Sequence, residues 1–293
     1  MAAIDVVVVS YNSRGELRRC VEPLSGLPDV DVVVVDNAST DGSLEAVADL
    51  PVATIPLDHN GGFSQGCNAG WRSASSPYVL FLNPDARLDA ESLRLLREVL
   101  ETQPAVGAVA PRILHADGTL EYSQRRFPRL RSTYARALFL HRLFPAASWT
   151  DELIRDPEAY AVTGAPDWVS GACVLVRRSV LEQLDGFDEG FFMYCEDIDV
   201  CRRLRSAGHE LVYEPRAVVS HEGGASAPRA SLLPVLAASR IRYAAKHRSA
   251  AGALLERFGV ALEALTRLVV SRGGWPVRAG HARSLVLAVS HRG

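Results

Sequence analysis

Residues 4–12 read Ile-Asp-Val-Val-Val-Val-Ser-Tyr-Asn, and residues 30–37 repeat the design as Val-Asp-Val-Val-Val-Val-Asp-Asn. A continuous β-branched run that ends in turn residues is the pattern of a strand buried on both faces, as in a parallel sheet. Between the two runs, Glu16 to Leu24 carries apolar residues at helical spacing. After the second, Ser39-Thr40-Asp41-Gly42 supplies capping residues and predicts another helix. Working outward, Val52–Leu57 reads as a strand, Gly66–Ala74 as a helix and Tyr78–Leu82 as a strand running into Asn83-Pro84-Asp85. Pro84 ends that strand and leaves Asp85 on the loop. Helix Ala90–Thr102 and strand Val106–Ala110 complete a βα alternation, which predicts an α/β chain with a mostly parallel central sheet flanked by helices.

The second half is less regular. Pro111 to Pro166 shows no clear period. Trp168–Val176 reads as a strand, Ser179–Leu184 as a short helix, Glu196–Gly208 as a charged helix, and Leu211–Glu214 and Val218–Val219 as short strands. Leu232 to Val270 is helical and Ala/Leu-rich, and the stretch from Arg272 on is expected to be loosely ordered. The predicted architecture therefore ends in a helical C-terminal tail.

Composition narrows the class. With 293 residues, 48% hydrophobic and 23% charged, the chain suits one large α/β domain with an appended tail. Its five cysteines form no C-x-x-C pair and follow no signal-peptide pattern, so free thiols in a cytoplasmic protein are expected. No run of 18 uncharged apolar residues occurs, so a soluble or peripheral protein is expected. The net charge of −2 conceals an asymmetry: residues 227–293 hold 11 Lys/Arg against Glu256 and Glu263 alone. A basic, apolar-rich tail suits docking on an anionic membrane surface or on a neighbouring subunit, or else a solvated face on a packed helix. The acidic body and the lack of interleaved aromatics argue against nucleic acid.

Ligands of an open parallel sheet bind at the carboxyl ends of its strands. Ser10-Tyr11-Asn12, Asp36-Asn37 and Asn83-Pro84-Asp85 all follow strand ends, which gathers an aromatic ring, carboxylates and amides into one cleft. His59-Asn60-Gly61-Gly62-Phe63-Ser64 precedes a helix, where glycines let a phosphate or sugar approach the backbone. The first strand is followed by Ser10 to Gly15 rather than G-x-G-x-x-G, which argues against a dehydrogenase. The same segment lacks the glycine-rich basic loop of a nucleotidyltransferase. Glu196-Asp197 follows the run Phe191-Phe192-Met193-Tyr194 and opens a helix, a setting that raises a carboxylate's pKa and suits a general base. Asp199 is placed to pair with Arg202 or Arg203. Arg125, Arg126, Arg240 and Arg242 read as solvated charge runs.

These pieces, with Ser170-Gly171-Ala172, Gly186-Phe187-Asp188-Glu189 and His221-Glu222-Gly223-Gly224, resemble in order and spacing the family 2 glycosyltransferases of GT-A fold, most of all bacterial rhamnosyltransferases. The match covers roughly residues 4 to 250. The resemblance implies a GT-A domain over 1–230, with a nucleotide-sugar-binding half at 1–110 and an acceptor-binding and catalytic half at 111–230, and a helical, basic extension at 231–293. It implies that Ser10, Tyr11, Asn12 and Asp36 hold the nucleobase side of a nucleotide-diphosphate sugar, with Asp36 accepting from a pyrimidine imide. Asn60, Gly61, Gly62, Phe63, Asn68 and Asn83 would line the donor pocket, and Asp85 with His221 would hold Mg²⁺ or Mn²⁺. Asn83 stands where many members carry an Asp, and an amide oxygen is a weaker metal ligand. Asp197 would be the base of an inverting single displacement, with Glu196 orienting the acceptor and Trp168, Ser170 and Gly171 on the acceptor side.

The expected donor is dTDP-rhamnose, with a UDP-sugar as the fallback. The expected acceptor is a glycan or polyprenyl-linked glycan at the inner face of the cell membrane, in cell-wall or surface-polysaccharide assembly. The alternative is a non-catalytic nucleotide-sugar-binding relative. His221 and Trp168 also admit purely structural roles.

Overall fold

A computed structural model of the chain describes residues 3–145, 147–223, 229–271 and 274–290. It forms two compact units: Met1–Arg125, Asp156–Gly190 and Glu196–Ser226 make the first, and Arg126–Arg155, Phe191–Cys195 and Ala227–Gly293 the second.

The first unit is built on β1 (Ile4–Ser10), β2 (Val30–Asp36), β3 (Ala53–Pro56), β4 (Tyr78–Leu82), β5 (Ala86–Leu88), β6 (Val106–Leu114), β9 (Cys173–Arg177) and β10 (Glu210–His221). They form one eight-stranded sheet in the order β3-β2-β1-β4-β9-β6-β10-β5. β3, β2, β1 and β4 run parallel, as do β6 and β10, while β9 is antiparallel to both of its neighbours and β5 to β10. A separate ribbon pairs β7 (Gln124–Arg125) with β8 (Trp168–Val169).

Alternation along the strands sorts the core. Val6, Val8, Val32, Val34, Leu80 and Leu82 share one cluster with α1 (Arg14–Val21) and α3 (Ala90–Thr102), so the even-numbered side chains face those helices. Val7, Val9 and Val35 face α2 (Phe63–Ser73) instead. An added Cβ would meet Val9 Cγ1 at 2.6 Å on Gly66 and Val7 Cγ1 at 2.3 Å on Gly70. The helix lies flat on the sheet because those positions carry no side chain. Gly70→Ala is therefore expected to destabilise the fold by about 1–3 kcal/mol through overpacking, read as a lower urea midpoint at unchanged slope.

Several expectations are corrected. Ser39-Thr40-Asp41-Gly42 opens no α-helix, only a 3₁₀ turn at Glu45–Val47. The stretch is instead held against the end of β1: Ser39 N donates to Asp36 Oδ2 (2.9 Å) and Thr40 N to Asn12 Oδ1 (2.9 Å). Asp41 itself accepts from the Arg14 amide at the start of α1 (2.9 Å). The expected strand Trp168–Val176 is broken at residues 170–172 into β8 and β9. Leu211–Glu214 and Val218–Val219 belong to one strand, β10, with a register shift between Glu214 and Val218. The region beyond Arg272 is ordered as α10 (Trp275–Val289) rather than loose. Two short helices in this unit, α6 (Arg178–Leu184) and α7 (Glu196–Ser206), fall where expected, and Asp199 pairs with Arg203 at 2.7 Å.

The second unit packs α4 (Leu130–Ala137), α5 (Leu140–Leu143), α8 (Arg229–His247), α9 (Ala250–Val270) and α10. Its apolar core is small, centred on Ala237, Val260 and Ala288. A charged network does much of the joining. Arg240, expected on a solvated face, is instead half-buried, donating to Glu256 Oε1 (2.9 Å) and Glu263 Oε2 (2.6 Å). Thr133 of α4 donates to Glu256 (2.8 Å), and Arg267 donates to Glu263 (3.0 Å). The three guanidiniums of Arg240, Arg136 and Arg267 outweigh burial and hold the Glu263 carboxyl down at about 2.

Candidate active site

The parallel register sets Ser10 beside Asp36, so β1 and β2 end level. Ser10 is fully buried and Asp36 nearly so, and Ser10 Oγ and Asp36 Oδ1 have no hydrogen-bond partner. Buried polar atoms are normally paired, so two orphans at adjacent strand ends fit a ligand that brings its own donors. Asp36 Oδ2 is already used by the Ser39 amide, which fixes the carboxylate's orientation. Tyr11 follows at 38% exposure, its ring accessible to a planar base, and Asn12 takes a left-handed backbone (φ 51°) that lets its side chain cap Thr40.

The glycine segment is held by its own amides. Asn60 Oδ1 accepts from Gly62 N (3.0 Å), and Asn37 Nδ2 donates to Gly62 O (3.1 Å). Gly62 is left-handed (φ 91°), and the position of a Gly61 Cβ is taken by Gln65 Oε1. Phe63 sets its ring edge-on to Phe187 at 6.4 Å. Asn68 is spent internally: Nδ2 donates to Phe187 O (2.8 Å) and Glu189 Oε1 (2.9 Å), while Oδ1 accepts from Trp71 Nε1 and Phe187 N. It locks α2 to the Gly186-Phe187-Asp188-Glu189 turn. Ser64 Oγ and Gln65 Oε1 are further buried orphans in this segment that sequence reasoning passed over.

At the end of β4, Asp85 Oδ1 lies 3.2 Å from His221 Nε2, and Asn83 Nδ2 lies 3.4 Å from the same nitrogen. The other ring nitrogen, Nδ1, lies 3.0 Å from Glu121 Oε2. Burial works against a charged ring, but Asp85 and Glu121 outweigh it and push His221 up to about 9. The same contacts hold Asp85 below its ordinary value in spite of burial. Among the described residues no group of three or more His, Cys, Asp or Glu is arranged to close round a metal ion. Glu121 engages the far nitrogen, so Asp85 and His221 Nε2 are the pair presented. Two such ligands fit a hard divalent cation that takes its remaining oxygens from water and a bound diphosphate. Gly224 of the His221-Glu222-Gly223-Gly224 motif lies outside the described residues.

Glu196 and Asp197 open α7. Burial raises the Glu196 carboxyl well above its ordinary value, and the charge of Asp197 raises it further. Burial raises Asp197 too, but the Ile198 amide at 2.8 Å, the Arg125 guanidinium and the Gly171 amide favour its charged form. Those opposed surroundings raise Glu196 further than Asp197, so the two neighbouring carboxyls differ in acidity. Glu196 Oε2 has no partner. An added Cβ on Gly171 would stand at ordinary contact distance, 3.5 Å, from Asp197 Cβ, which places the two residues side by side.

The two carboxylate centres meet through the backbone. Asn83 N donates to Ala172 O (2.9 Å), which ties the Asn83-Pro84-Asp85 turn to the segment whose Gly171 touches Asp197. Ser170 N in turn donates to Ser123 O (3.1 Å), anchoring the segment to the start of β7. Trp168 is 5% exposed and the Arg125 guanidinium lies 5.0 Å from its ring centre, so its ring is packed rather than open to a sugar.

Comparison with known proteins agrees with this layout. The profile of the family described as "Glycosyl transferase family 2" matches residues 5–185. The N-acetylglucosaminyl-diphospho-decaprenol L-rhamnosyltransferase of Mycobacterium tuberculosis is 34% identical over 243 residues, covering 77% of this chain and 78% of that protein. Rhamnosyltransferase WbbL of Escherichia coli is 32% identical over 149 residues, covering 50% and 52%. Among solved structures, the mannosyltransferase PcManGT of Pyrobaculum calidifontis, in complex with GDP-Man and Mn²⁺, superposes with a TM-score of 0.57 at 19% identity, covering 99% and 81%. S. aureus TarS 1–349 in complex with UDP-GlcNAc gives 0.59 at 16% identity, covering 98% and 79%.

Proposed function

Because this chain belongs to glycosyl transferase family 2, and is thereby a glycosyltransferase, we propose that it inverts the sugar of dTDP-rhamnose by single displacement onto a polyprenyl-linked glycan at the cytoplasmic face of the membrane. The observation that carries the reading is the junction at Asn83 and Ala172, which brings the Asp85–His221 pair and the Asp197 carboxylate to one end of the sheet. The rhamnose donor and the lipid-linked acceptor rest on the names of the Mycobacterium tuberculosis and Escherichia coli relatives.

In this reading Ser10 Oγ and Asp36 Oδ1 take the donors and acceptors of the pyrimidine, with Tyr11 against its face. Asn60, Gly61, Gly62, Phe63 and Asn83 line the donor, Asn68 supporting them from behind. Asp197 accepts the proton of the acceptor hydroxyl as that oxygen bonds to the anomeric carbon and the bond to the diphosphate breaks. Glu196, whose buried Oε2 has no partner in the protein, orients the acceptor hydroxyl. Ser170 and Gly171 border the acceptor. Asp85 and His221 would hold Mg²⁺ or Mn²⁺, which supplies neutralising charge for the leaving diphosphate.

Thermal stabilisation across dTDP-rhamnose and a panel of UDP- and GDP-sugars, each with and without Mg²⁺ or Mn²⁺, tests the donor. A ligand at 100 times its Kd stabilises by about 2.7 kcal/mol, a rise of several degrees in midpoint. The expected result is a metal-dependent rise with dTDP-rhamnose alone. A rise with another sugar replaces the donor assignment, and no rise with any donor removes the catalytic reading.

A further inference from the structure

The second unit turns a large apolar surface outward. Along α9, Leu254, Leu255, Phe258, Leu265 and Val269 are exposed, Phe258 at 59% and Val269 at 72%. The same helix buries Glu256 and Glu263 together with the small residues Gly259, Val260 and Ala264. At 3.6 residues per turn the exposed set, with half-buried Leu262, falls within roughly 100° of arc, one continuous apolar stripe turned to the outside. Helix α10 repeats the pattern: it buries Gly280, His281, Ser284 and Ala288 and exposes Trp275 (81%), Val286, Leu287 and Val289. Arg257 Nε donates to Ala288 O at 2.7 Å, so the C-terminal end of α10 lies beside α9 and the two apolar sets adjoin.

Charge on this unit is equally one-sided. It holds 17 Lys/Arg and four Asp/Glu, and none of those acids, Asp151, Glu152, Glu256 or Glu263, is exposed. Arg131, Arg142, Arg278 and Arg283 are exposed. A surface with apolar stripes, exposed cations and no exposed anion matches the interface of an anionic bilayer, where the stripe enters the acyl boundary and the arginines meet headgroup phosphates. Among the described residues no helix is long and apolar enough to cross a membrane, which suits a face that lies on the bilayer.

We propose that the exposed face of α9 and α10 docks the protein on the surface of a bilayer bearing anionic lipid headgroups. The docking goes beyond the transfer reaction and depends on neither donor nor acceptor. It also accounts for why a short apolar core suffices here: the acids that anchor α9 occupy the inside, and the leucines are released to the outside.

Co-sedimentation of the full chain with vesicles tests it without nucleotide sugar, acceptor or metal, so its outcome is independent of the transferase reading. Binding is expected to vesicles of phosphatidylglycerol and phosphatidylcholine, to weaken as salt rises, and to be much weaker on phosphatidylcholine alone. The double variant Phe258→Glu/Leu265→Glu is expected to lower partitioning by roughly tenfold or more at an unchanged melting temperature, both side chains being exposed. Arg278→Glu/Arg283→Glu should lower it on anionic vesicles only. Failure of the natural chain to bind anionic vesicles overturns the proposal, as does undiminished binding by both variants. A dimer in light scattering that Phe258→Glu/Leu265→Glu turns into a monomer, without vesicle binding by either, would reassign the face to a contact between copies.

Discussion

Asp197→Asn is expected to lower the turnover number for sugar transfer by roughly 10² to 10⁴ while leaving donor-induced thermal stabilisation intact. The amide matches the carboxylate in size, keeps an oxygen for the Ile198 amide, and removes only the ability to accept a proton. Glu196 does not substitute for it. Desolvation and the Asp197 charge raise its buried carboxyl well above the ordinary value, which makes it the poorer proton acceptor of the two. The pH–rate profile reads the assignment directly, because protonation of Asp197 removes the base and activity falls on the acid side of its raised pKa. Equal turnover in Asp197→Asn and the natural protein would remove the base assignment, and loss of donor stabilisation would mean that the residue shapes the donor pocket instead.

Arg240→Ala should cost about 3–5 kcal/mol of stability at neutral pH, because it removes two charge-assisted hydrogen bonds to buried carboxylates and leaves Glu263 to Arg136 and Arg267, and Glu256 to Arg248 and Thr133. The pH dependence follows from Glu263. Its folded-state pKa is depressed to about 2 from 4.5, so its contribution is fully present above the unfolded value and is lost as pH falls through the folded one. Removing Arg240 raises that folded value. The stability gap between variant and natural protein is therefore widest above about pH 5 and narrows as pH falls toward about 2. Chemical denaturation at several pH values measures the gap, and a gap constant over that window would show that Arg240 acts through packing alone.

The parallel half of the sheet was legible because its signals are local. The apolar run Tyr78–Leu82 and the helix Ala90–Thr102 fall at the predicted residues, the latter because Asp89 caps it by accepting from the Ser92 amide. Ser10, Asp36 and Asp85 were readable for the same reason, since strand ends in a parallel sheet imply a cleft. Glu121 was not: it sits in a stretch without a period, and its meaning arises from His221, 100 residues away. Asn68 carried a motif signal but no sign that four hydrogen bonds already use its amide. The order of α10 was hidden because its buried face is Gly280, His281, Ser284 and Ala288, and a helix that packs through small and polar residues shows no inward apolar stripe.

The antiparallel insertion of β9 between β4 and β6 has a consequence for how the chain comes off the ribosome. The β3-β2-β1-β4 block can assemble once residue 82 is made, yet its β4 edge and the β6 edge gain their shared partner only when residues 173–177 arrive. At roughly 5–20 residues per second, that leaves the nascent chain for several seconds with two unpaired edges, a template for pairing with other chains. Closure of the sheet therefore waits on a strand supplied late.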